Sequence, residues 1–392
     1  MTFLFKQFTI SKFKISFATI FWFTLAFVAA AVQSLKGIAG YNNYLIFKGV
    51  FVHTISQLNL FSTYPLEYVD SNHYGSFFSL IIAPFTIFNN SFGCFLWCLA
   101  NAFILFYAIS KLPISAKQQS IILLISALEM MTSIHNVQFN PMLTSTILLS
   151  YILVKNGKDF WATIFIVIGI LTKIYGIVGL AFFLFSNNKI TFIWSFIFWI
   201  ILCFCLPMAI SSPHFVVQSY FDWYQSLTEK NQLNADSVMQ GMTAMRFLKR
   251  ILHLPNIADI YFLLTAVIFY LLPIIRFKQY FHTNFQLSYL AFLLIGVVIF
   301  SSSAESATFV IAMVGIGIWY ILQDDRKWWV VSLLILALLF TSLSTTDLFP
   351  KNIKANFIRP YAIKAMPCFF IWIVISVQLL CKSFASTNNI NE

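Results

Sequence analysis

Charged residues are scarce in this sequence. Only 9% of its 392 residues are Asp, Glu, Lys or Arg, whereas soluble domains contain about 25%. Hydrophobic residues make up 60%, and Phe alone occurs 46 times. The shortage of charge excludes an ordinary soluble enzyme. Because one membrane-spanning helix needs about 20 apolar residues, the chain contains enough of them for at most about eleven or twelve spans.

Three other patterns are missing, and each absence excludes a class of protein. The apolar runs do not alternate with polar residues as in an outer-membrane β-barrel, so helices are favoured over strands. The formal net charge is +11, but the basic residues are spread singly and form no stripe for binding nucleic acid. The six cysteines lie within or at the ends of apolar runs, with the spacing of neither a disulfide framework nor a zinc site. We therefore predict an all-α polytopic membrane protein that binds no nucleic acid and no metal.

The apolar runs predict about twelve transmembrane helices. The first run, residues 15–35, follows Lys6, Lys12 and Lys14, so the positive-inside rule places the N-terminus in the cytoplasm. Its length and the many later spans favour an uncleaved helix over a signal peptide. The other predicted spans are residues 91–110, 119–134, 141–154, 160–172, 174–185, 190–210, 260–275, 285–302, 305–322, 328–345 and 363–382.

The basic residues support this topology, because every short connection predicted to be cytoplasmic contains Lys or Arg. These residues are Lys111, Lys117, Lys155, Lys158, Lys189, Arg276, Lys278, Arg326, Lys327 and Lys382. The alternation places both termini in the cytoplasm. We expect a protein of the bacterial cytoplasmic membrane with a single integral-membrane domain over residues 1–392.

Three long segments fall on the predicted outer side, namely residues 36–90, 211–259 and 346–362. Within the first of them, Tyr41–Leu60 suits a helix that lies in the membrane interface. The apolar stretch Ser76–Phe88 has 13 residues, a length that favours a re-entrant or interfacial helix over a span. We expect the function to reside in these outer segments.

Ionisable groups near a membrane are costly unless they are paired or hydrated, so they are functional candidates. The most polar and aromatic outer stretch, residues 59–75, contains Glu67, Asp70, His73 and Tyr74. Aromatic rings stack on sugars, and carboxylates bind or deprotonate hydroxyl groups. The stretch would therefore suit a sugar or a lipid headgroup. The alternative is an exposed loop that contributes to an aromatic belt.

Three further polar patches lie on the same predicted side. Gln138 and Asn140 occupy a short outer turn, in which Asn140 either binds a ligand or caps the next helix. Lys173 lies between two short apolar half-runs, where its ammonium group either reaches the lipid headgroups or binds a buried phosphate. Glu305 follows three serines at an outer membrane boundary.

Several short motifs occur along the chain in a recognisable order. They are Asn59-Leu60-Phe61, Tyr64-Pro65, Tyr74-Gly75, Pro84-Phe85, Gln138-Phe139-Asn140-Pro141 and Lys173-Ile174-Tyr175. Their order over about residues 15–320 resembles glycosyltransferase family 87, the polyprenol-phosphate-mannose-dependent membrane transferases of the GT-C fold. The Gln-Phe-Asn-Pro and Lys-Ile-Tyr motifs are the most specific part of the resemblance.

The resemblance implies a GT-C-like helix bundle and an inverting transfer of a hexose, typically mannose. The donor would be a polyprenyl-phosphate sugar, and the acceptor a lipid or glycan at the outer membrane face. A carboxylate in the first outer loop would take the proton from the acceptor hydroxyl, and a Lys or Arg would stabilise the departing phosphate. Because a lipid phosphate is a good leaving group, no metal or other cofactor is implied.

The sequence departs from the family pattern at the base. Family members usually place an Asp soon after the first span, whereas residues 37–44 contain no acid and Asn42 or Asn43 stands near that position. We therefore predict Asp70 as the base, with Glu305 and Glu67 as alternatives. The other predicted roles are donor phosphate binding by Lys173 and Arg246, and sugar or acceptor binding by His73, Tyr74, Gln138, Asn140 and Asn42.

Three other functions stay open from the sequence. About twelve spans with both termini inside is also a common layout of secondary transporters, but the two halves show no matching pattern and the polar groups collect on one side. A polymerase or ligase of lipid-linked glycans would also use large outer loops. A non-catalytic relative that only binds a lipid-linked sugar is compatible with the missing early Asp.

Overall fold

The computed structural model describes residues 7–10, 13–236, 241–254, 256–302 and 304–384. Most of these residues are helical, as the all-α membrane class requires. The exception is an N-terminal hairpin of two antiparallel strands, β1 (Gln7–Ile10) and β2 (Phe13–Ser16), which was not predicted. Apolar and polar residues alternate along both strands, and this is the period of a strand.

The first half of the described chain contains helices α1 to α8. Their bounds are Phe17–Leu35, Ile38–Ser56, Phe78–Thr86, Asn90–Ser110, Ala116–His135, Asn140–Lys155, Asp159–Thr172 and Lys189–Cys205. The 3₁₀ segments Ile174–Phe185 and Leu206–Ala209 follow α7 and α8. Asparagine side chains cap α4 and α8, because Asn89 accepts a hydrogen bond from the backbone of Phe92 and Asn188 from that of Thr191.

The second half contains helices α9 to α16. Their bounds are Pro213–Asp236, Ala244–Ile251, Asp259–Leu271, Thr283–Ile299, Phe309–Ile321, Trp328–Leu336, Lys351–Ile353 and Met366–Cys381. Between them lie the 3₁₀ segments Leu272–Gln279, Ser306–Thr308 and Ile363–Ala365 and the π-helices Ala337–Leu343 and Lys354–Ile358. Much of the predicted outer segment 211–259 is thus helical, since it contains α9 and α10.

Within the described residues, five helices are long and apolar enough to cross a membrane. They are Phe17–Leu35, Asn90–Ser110, Lys189–Ala209, Asp259–Gln279 and Ile363–Cys381. Shorter apolar helices are Asp159–Thr172, Ile174–Phe185, Thr283–Ile299, Ser306–Ile321 and Trp328–Leu343. All of these overlap predicted spans. The total of about twelve spans, and the orientation of the termini, stay predictions.

The chain forms two compact units. Unit 1 comprises Met1–Trp22, Pro113–Glu129 and Asn234–Glu392, and unit 2 comprises Phe23–Leu112 and Met130–Leu233. In unit 1, α12 packs against α13 and α16, and α10 packs against α16. In unit 2, α6 packs against α4 and α7, and α2 packs against α3.

Aromatic side chains fill the core of unit 2 around α2, α3, α4 and the start of α6. The ring of Phe78 lies 5.2 Å from that of Phe47, 5.8 Å from that of Trp97 and 5.4 Å from that of Phe139. All four side chains are buried. Tyr74 stacks on Phe78 with a centroid distance of 4.5 Å. The core therefore supports one end of the polar stretch 59–75.

Candidate active site

An asparagine side chain holds the loop between α2 and α3. Asn42 in α2 accepts a hydrogen bond from the backbone N–H of Val69 at 2.8 Å and donates one to the carbonyl of Val69 at 2.9 Å. The next residue, exposed Asp70, has a φ of 81°. A non-glycine residue in this region is uncommon, and such strain concentrates at functional sites. Asn42 therefore fixes the backbone beside the predicted base, and its contact with a sugar stays a prediction.

A second asparagine, Asn72, shapes the same loop three residues after Val69. Buried Asn72 accepts a hydrogen bond from the backbone N–H of Tyr74 and donates one to the carbonyl of Tyr74, both at 2.9 Å. A Cβ at the next residue, Gly75, would lie 2.5 Å from the carbonyl oxygen of Leu171 and 3.0 Å from the ring of Trp223. Only glycine allows this approach. The loop therefore passes tightly against the end of α7 and the middle of α9.

His73 lies between the loop and α9. Its Nδ1 is 3.2 Å from the hydroxyl of Ser226, and its carbonyl accepts a hydrogen bond from the indole of Trp223 at 2.9 Å. Burial and the nearby charge of Lys230 lower the pKa of His73 to about 4, with a smaller lowering by Lys173 and an opposing effect of Asp70. At neutral pH the imidazole is thus uncharged, and it is close to two cations and one carboxylate.

Lys173 interrupts the apolar run where α7 ends and the 3₁₀ segment Ile174–Phe185 begins, and its backbone is extended there (φ −149°, ψ 105°). The two helical segments touch at Gly169 and Gly176, where a Cβ on Gly169 would lie 2.8 Å from the Cα of Gly176. The ammonium group of Lys173 donates a hydrogen bond to the side-chain oxygen of Asn140 at 2.9 Å. The same group lies 5.3 Å from the centroid of the Tyr175 ring.

Asn140 is buried at the start of α6. Its side-chain oxygen accepts the hydrogen bond from Lys173. Nearby, the hydroxyl of Tyr74 donates a hydrogen bond to the side-chain oxygen of Gln138 at 3.4 Å. Tyr74, Gln138, Asn140 and Lys173 are consequently linked through the short turn that joins α5 to α6.

The other carboxylate of the first outer loop has a different environment. Glu67 is 49% exposed and lies 3.0 Å from Nε2 of buried His53. The His53 ring lies on the ring of Tyr64, with a centroid distance of 4.0 Å. His53 was not singled out from the sequence, because a lone histidine within the apolar face of α2 gives no signal of its partner.

Two predicted site residues, Arg246 and Glu305, belong to unit 1. Arg246 is the third residue of α10, and its backbone N–H donates a hydrogen bond to the hydroxyl of the N-cap residue Thr243 at 3.2 Å. The backbone N–H of Met242 donates to the carbonyl of Ala304 at 3.0 Å, which ties this segment to the residue before Glu305. Both side chains are half-buried.

Sequence reasoning missed the contribution of α9 to the loop. Trp223, Ser226 and Lys230 are spaced three and four residues apart, which places them on one face of a helix, and each interacts with His73. The spacing of these three residues in the sequence is enough to predict that they share a helix face. Their partner, however, lies about 150 residues earlier in the chain.

Within the described part of the chain, no group of three or more His, Cys, Asp or Glu side chains could hold a metal ion. The functional groups that the site in unit 2 presents are a carboxylate, a neutral imidazole, amides and ammonium groups. The family model of glycosyltransferase family 87 matches residues 72–303, which is more than half of the chain. No curated protein matches the sequence.

Proposed function

The chain belongs to glycosyltransferase family 87, and we propose that it transfers a hexose, in the first instance mannose, from a polyprenyl-phosphate donor. The proposed acceptor is a lipid or glycan at the outer face of a bacterial cytoplasmic membrane. Family membership makes the protein a glycosyltransferase, and its apolar helices make it a membrane protein. The identity of the donor, the acceptor and the mechanism are the proposal.

The observation that supports the donor most directly is the hydrogen bond between Lys173 and Asn140. It joins the two most specific motifs of the chain, Lys-Ile-Tyr and Gln-Phe-Asn-Pro, which are 33 residues apart in sequence. The amide orients an ammonium group that is half-buried, and Lys230 adds a second positive charge near His73. Two cations beside a neutral imidazole suit the phosphate of a lipid-linked sugar.

The proposed reaction is a single inverting displacement. The carboxylate of Asp70 takes the proton from the acceptor hydroxyl, whose oxygen forms the new bond to the anomeric carbon. The bond from that carbon to the phosphate oxygen breaks, and its electron pair leaves with the lipid phosphate. The ammonium group of Lys173 stabilises the negative charge that develops on the phosphate. Tyr74, Gln138 and the imidazole of His73 are proposed to hydrogen-bond sugar hydroxyls.

The proposal also gives a role to the residue that replaces the usual early Asp. Asn42 cannot act as a base, but its side chain binds both backbone polar groups of Val69, the residue before Asp70. We assign Asn42 to positioning Asp70, so that the base has moved along the loop while the first turns of α2 still support it. Glu67 is assigned to its contact with Nε2 of His53.

The experiment that tests the proposal is sugar transfer by the purified protein in lipid. Polyprenyl-phosphate carriers with radiolabelled mannose, glucose, galactose or an aminosugar would be offered with a lipid extract of the source organism as acceptor. We expect a labelled product that depends on the protein, and its mass would identify the acceptor. Absence of transfer from every donor, with protein shown to be folded, would instead support a transporter or a relative that only binds the sugar lipid.

A further inference from the structure

Unit 1 contains a concentration of positive charge that the positive-inside rule does not explain. The predicted outer segment 346–362, together with the part of the predicted outer segment 211–259 from residue 241 onwards, contains six Lys and Arg residues and two Asp residues. The rule accounts for Lys and Arg in cytoplasmic connections, whereas these segments are predicted to lie on the opposite side. The positive charge there therefore needs another reason.

The fold brings three of these basic residues together. In α10, Ala244, Met245 and Phe247 are buried, while Arg246 and Arg250, four residues apart, share the other face. A guanidinium nitrogen of Arg250 donates a hydrogen bond to the carbonyl of Arg359 at 3.2 Å. The side chain of Arg359 is exposed. We call Arg246, Arg250 and Arg359 the arginine cluster.

The two carboxylates of these segments, Asp259 and Asp347, both lie within ion-pair distance of lysines. Asp259 forms an ion pair with Lys249 at 2.5 Å, and Asp347 lies 3.5 Å from Lys354. Among the residues that the structure describes, no carboxylate lies within ion-pair distance of Arg250 or Arg359. Burial and the charge of Arg246 lower the pKa of Arg250. Like charges four residues apart destabilise a helix, so an anion would relieve the repulsion.

The surroundings of the cluster favour a lipid over a free anion. Leu252 and Leu254 follow α10, and Phe357 and Tyr361 flank Arg359; all four side chains are exposed. Exposed apolar residues beside cations are typical of segments that lie at a membrane surface. Guanidinium groups match phosphate oxygens in a bidentate geometry.

We propose that Arg246, Arg250 and Arg359 bind the phosphate group of an anionic membrane lipid. Arg246 is thereby assigned to this second phosphate and not to the donor, whose proposed cation, Lys173, belongs to unit 2. The lipid is either a constituent of the bilayer or the acceptor itself. The binding site stands on its own geometry, and only its use by the acceptor rests on the proposed function.

The test is lipid binding by the purified full chain, which requires no transfer activity. Binding of phosphatidylglycerol and phosphatidylcholine would be counted by native mass spectrometry for the wild type and for Arg250→Gln/Arg359→Gln. We expect phosphatidylglycerol to bind about 30-fold more weakly to the variant, as for the loss of two surface cations. Binding of phosphatidylcholine should not change. The matched control is Lys111→Gln/Lys117→Gln, which removes the same charge from a predicted cytoplasmic connection and should bind normally.

Two further experiments distinguish lost charge from a damaged fold, and a lipid ligand from free phosphate. Arg250→Lys/Arg359→Lys keeps the charge and should recover a large part of the binding, which distinguishes lost charge from a damaged fold. Binding of inorganic phosphate as tight as that of phosphatidylglycerol, with the same loss of affinity in the Gln variant, would assign the site to a free anion and overturn a lipid ligand. Equal binding of phosphatidylglycerol to wild type and to the Gln variant would overturn the site itself.

If transfer is established, a raised KM for the acceptor in the Gln variant assigns the lipid to the acceptor, and an unchanged KM assigns it to the bilayer.

Discussion

Two lysines in this chain, Lys364 in unit 1 and Lys173 in unit 2, lie in opposite kinds of environment. Lys364 is completely buried, and its ammonium group donates to Glu129 at 2.7 Å, to Ser306 at 2.9 Å and to Thr345 at 3.4 Å. These three acceptors match the three N–H donors of an ammonium group. No donor remains for a ligand, so this is a structural ion pair.

Lys173, by contrast, is half-buried and donates to the neutral amide of Asn140. It lies in a cluster with a neutral histidine and a second lysine, Lys230. The comparison teaches that burial of charge alone does not mark a site in this protein. We interpret the buried pair of Lys364 and Glu129 as structural, and the grouped positive charge near the loop as the proposed phosphate-binding site. Variants should therefore separate into those that change stability and those that change transfer.

The largest expected effect is on catalysis. Asp70→Asn removes the proposed base but keeps the shape of the side chain, so we expect kcat to fall by about 10²–10⁴-fold with little change in donor binding or thermal stability. The measurement is the transfer rate at saturating donor. Glu229→Gln, an exposed change in α9, is the control and should keep full activity. Full activity of Asp70→Asn would move the base to Glu305 or Glu67.

The next largest effect is on stability in unit 1. Lys364→Met leaves the carboxylate of Glu129 buried without its partner, and we expect a loss of about 3–5 kcal/mol in the free energy of unfolding. Unfolding in detergent, followed by circular dichroism, measures it. One oxygen of Glu129, Oε2, already has no hydrogen-bond partner among the described residues. The double variant Glu129→Leu/Lys364→Met should therefore recover most of the stability, and its failure to do so would assign the pair a role beyond charge neutralisation.

A smaller effect is expected on donor affinity in unit 2. Lys173→Ala should weaken binding of a polyprenyl-phosphate sugar by about 10–100-fold, the loss expected for one charge-assisted hydrogen bond. Lys158→Ala, an exposed change in a predicted cytoplasmic connection, is the control. Donor binding in nanodiscs measures the effect. Unchanged affinity of Lys173→Ala would mean that its ammonium group only reaches towards the headgroups, and the contrast with Lys364 would then fail.

The sequence was sufficient to predict the apolar helices and the interruption at Lys173, because both depend on local composition. Placing a lysine between two short apolar runs costs free energy in a membrane whatever its tertiary contacts are, so the sequence alone marks this position. Sequence reasoning did not identify Lys364, which lies at the start of the last predicted span, residues 363–382, and is buried among partners distant in sequence, of which Glu129 is 235 residues away. It likewise missed the role of Asn42, whose partner Val69 is 27 residues distant. Such pairings depend on packing, which hydrophobic periodicity does not encode.

The smallest expected effect is a pH dependence of stability in unit 2. His73 has a pKa of about 4 in the folded protein and about 6.5 when unfolded. Between these values the unfolded chain binds the proton more strongly, so stability should be complete above pH 6.5 and fall as the pH drops towards 4. Apparent Tm at pH 7 and pH 5 measures this loss. His73→Gln should reduce the difference between the two pH values, whereas His214→Gln, an exposed change in α9, should leave it unchanged. An unaltered difference in His73→Gln would mean that burial and the nearby cations together do not suppress protonation of His73, which would contradict the environment that we infer for it.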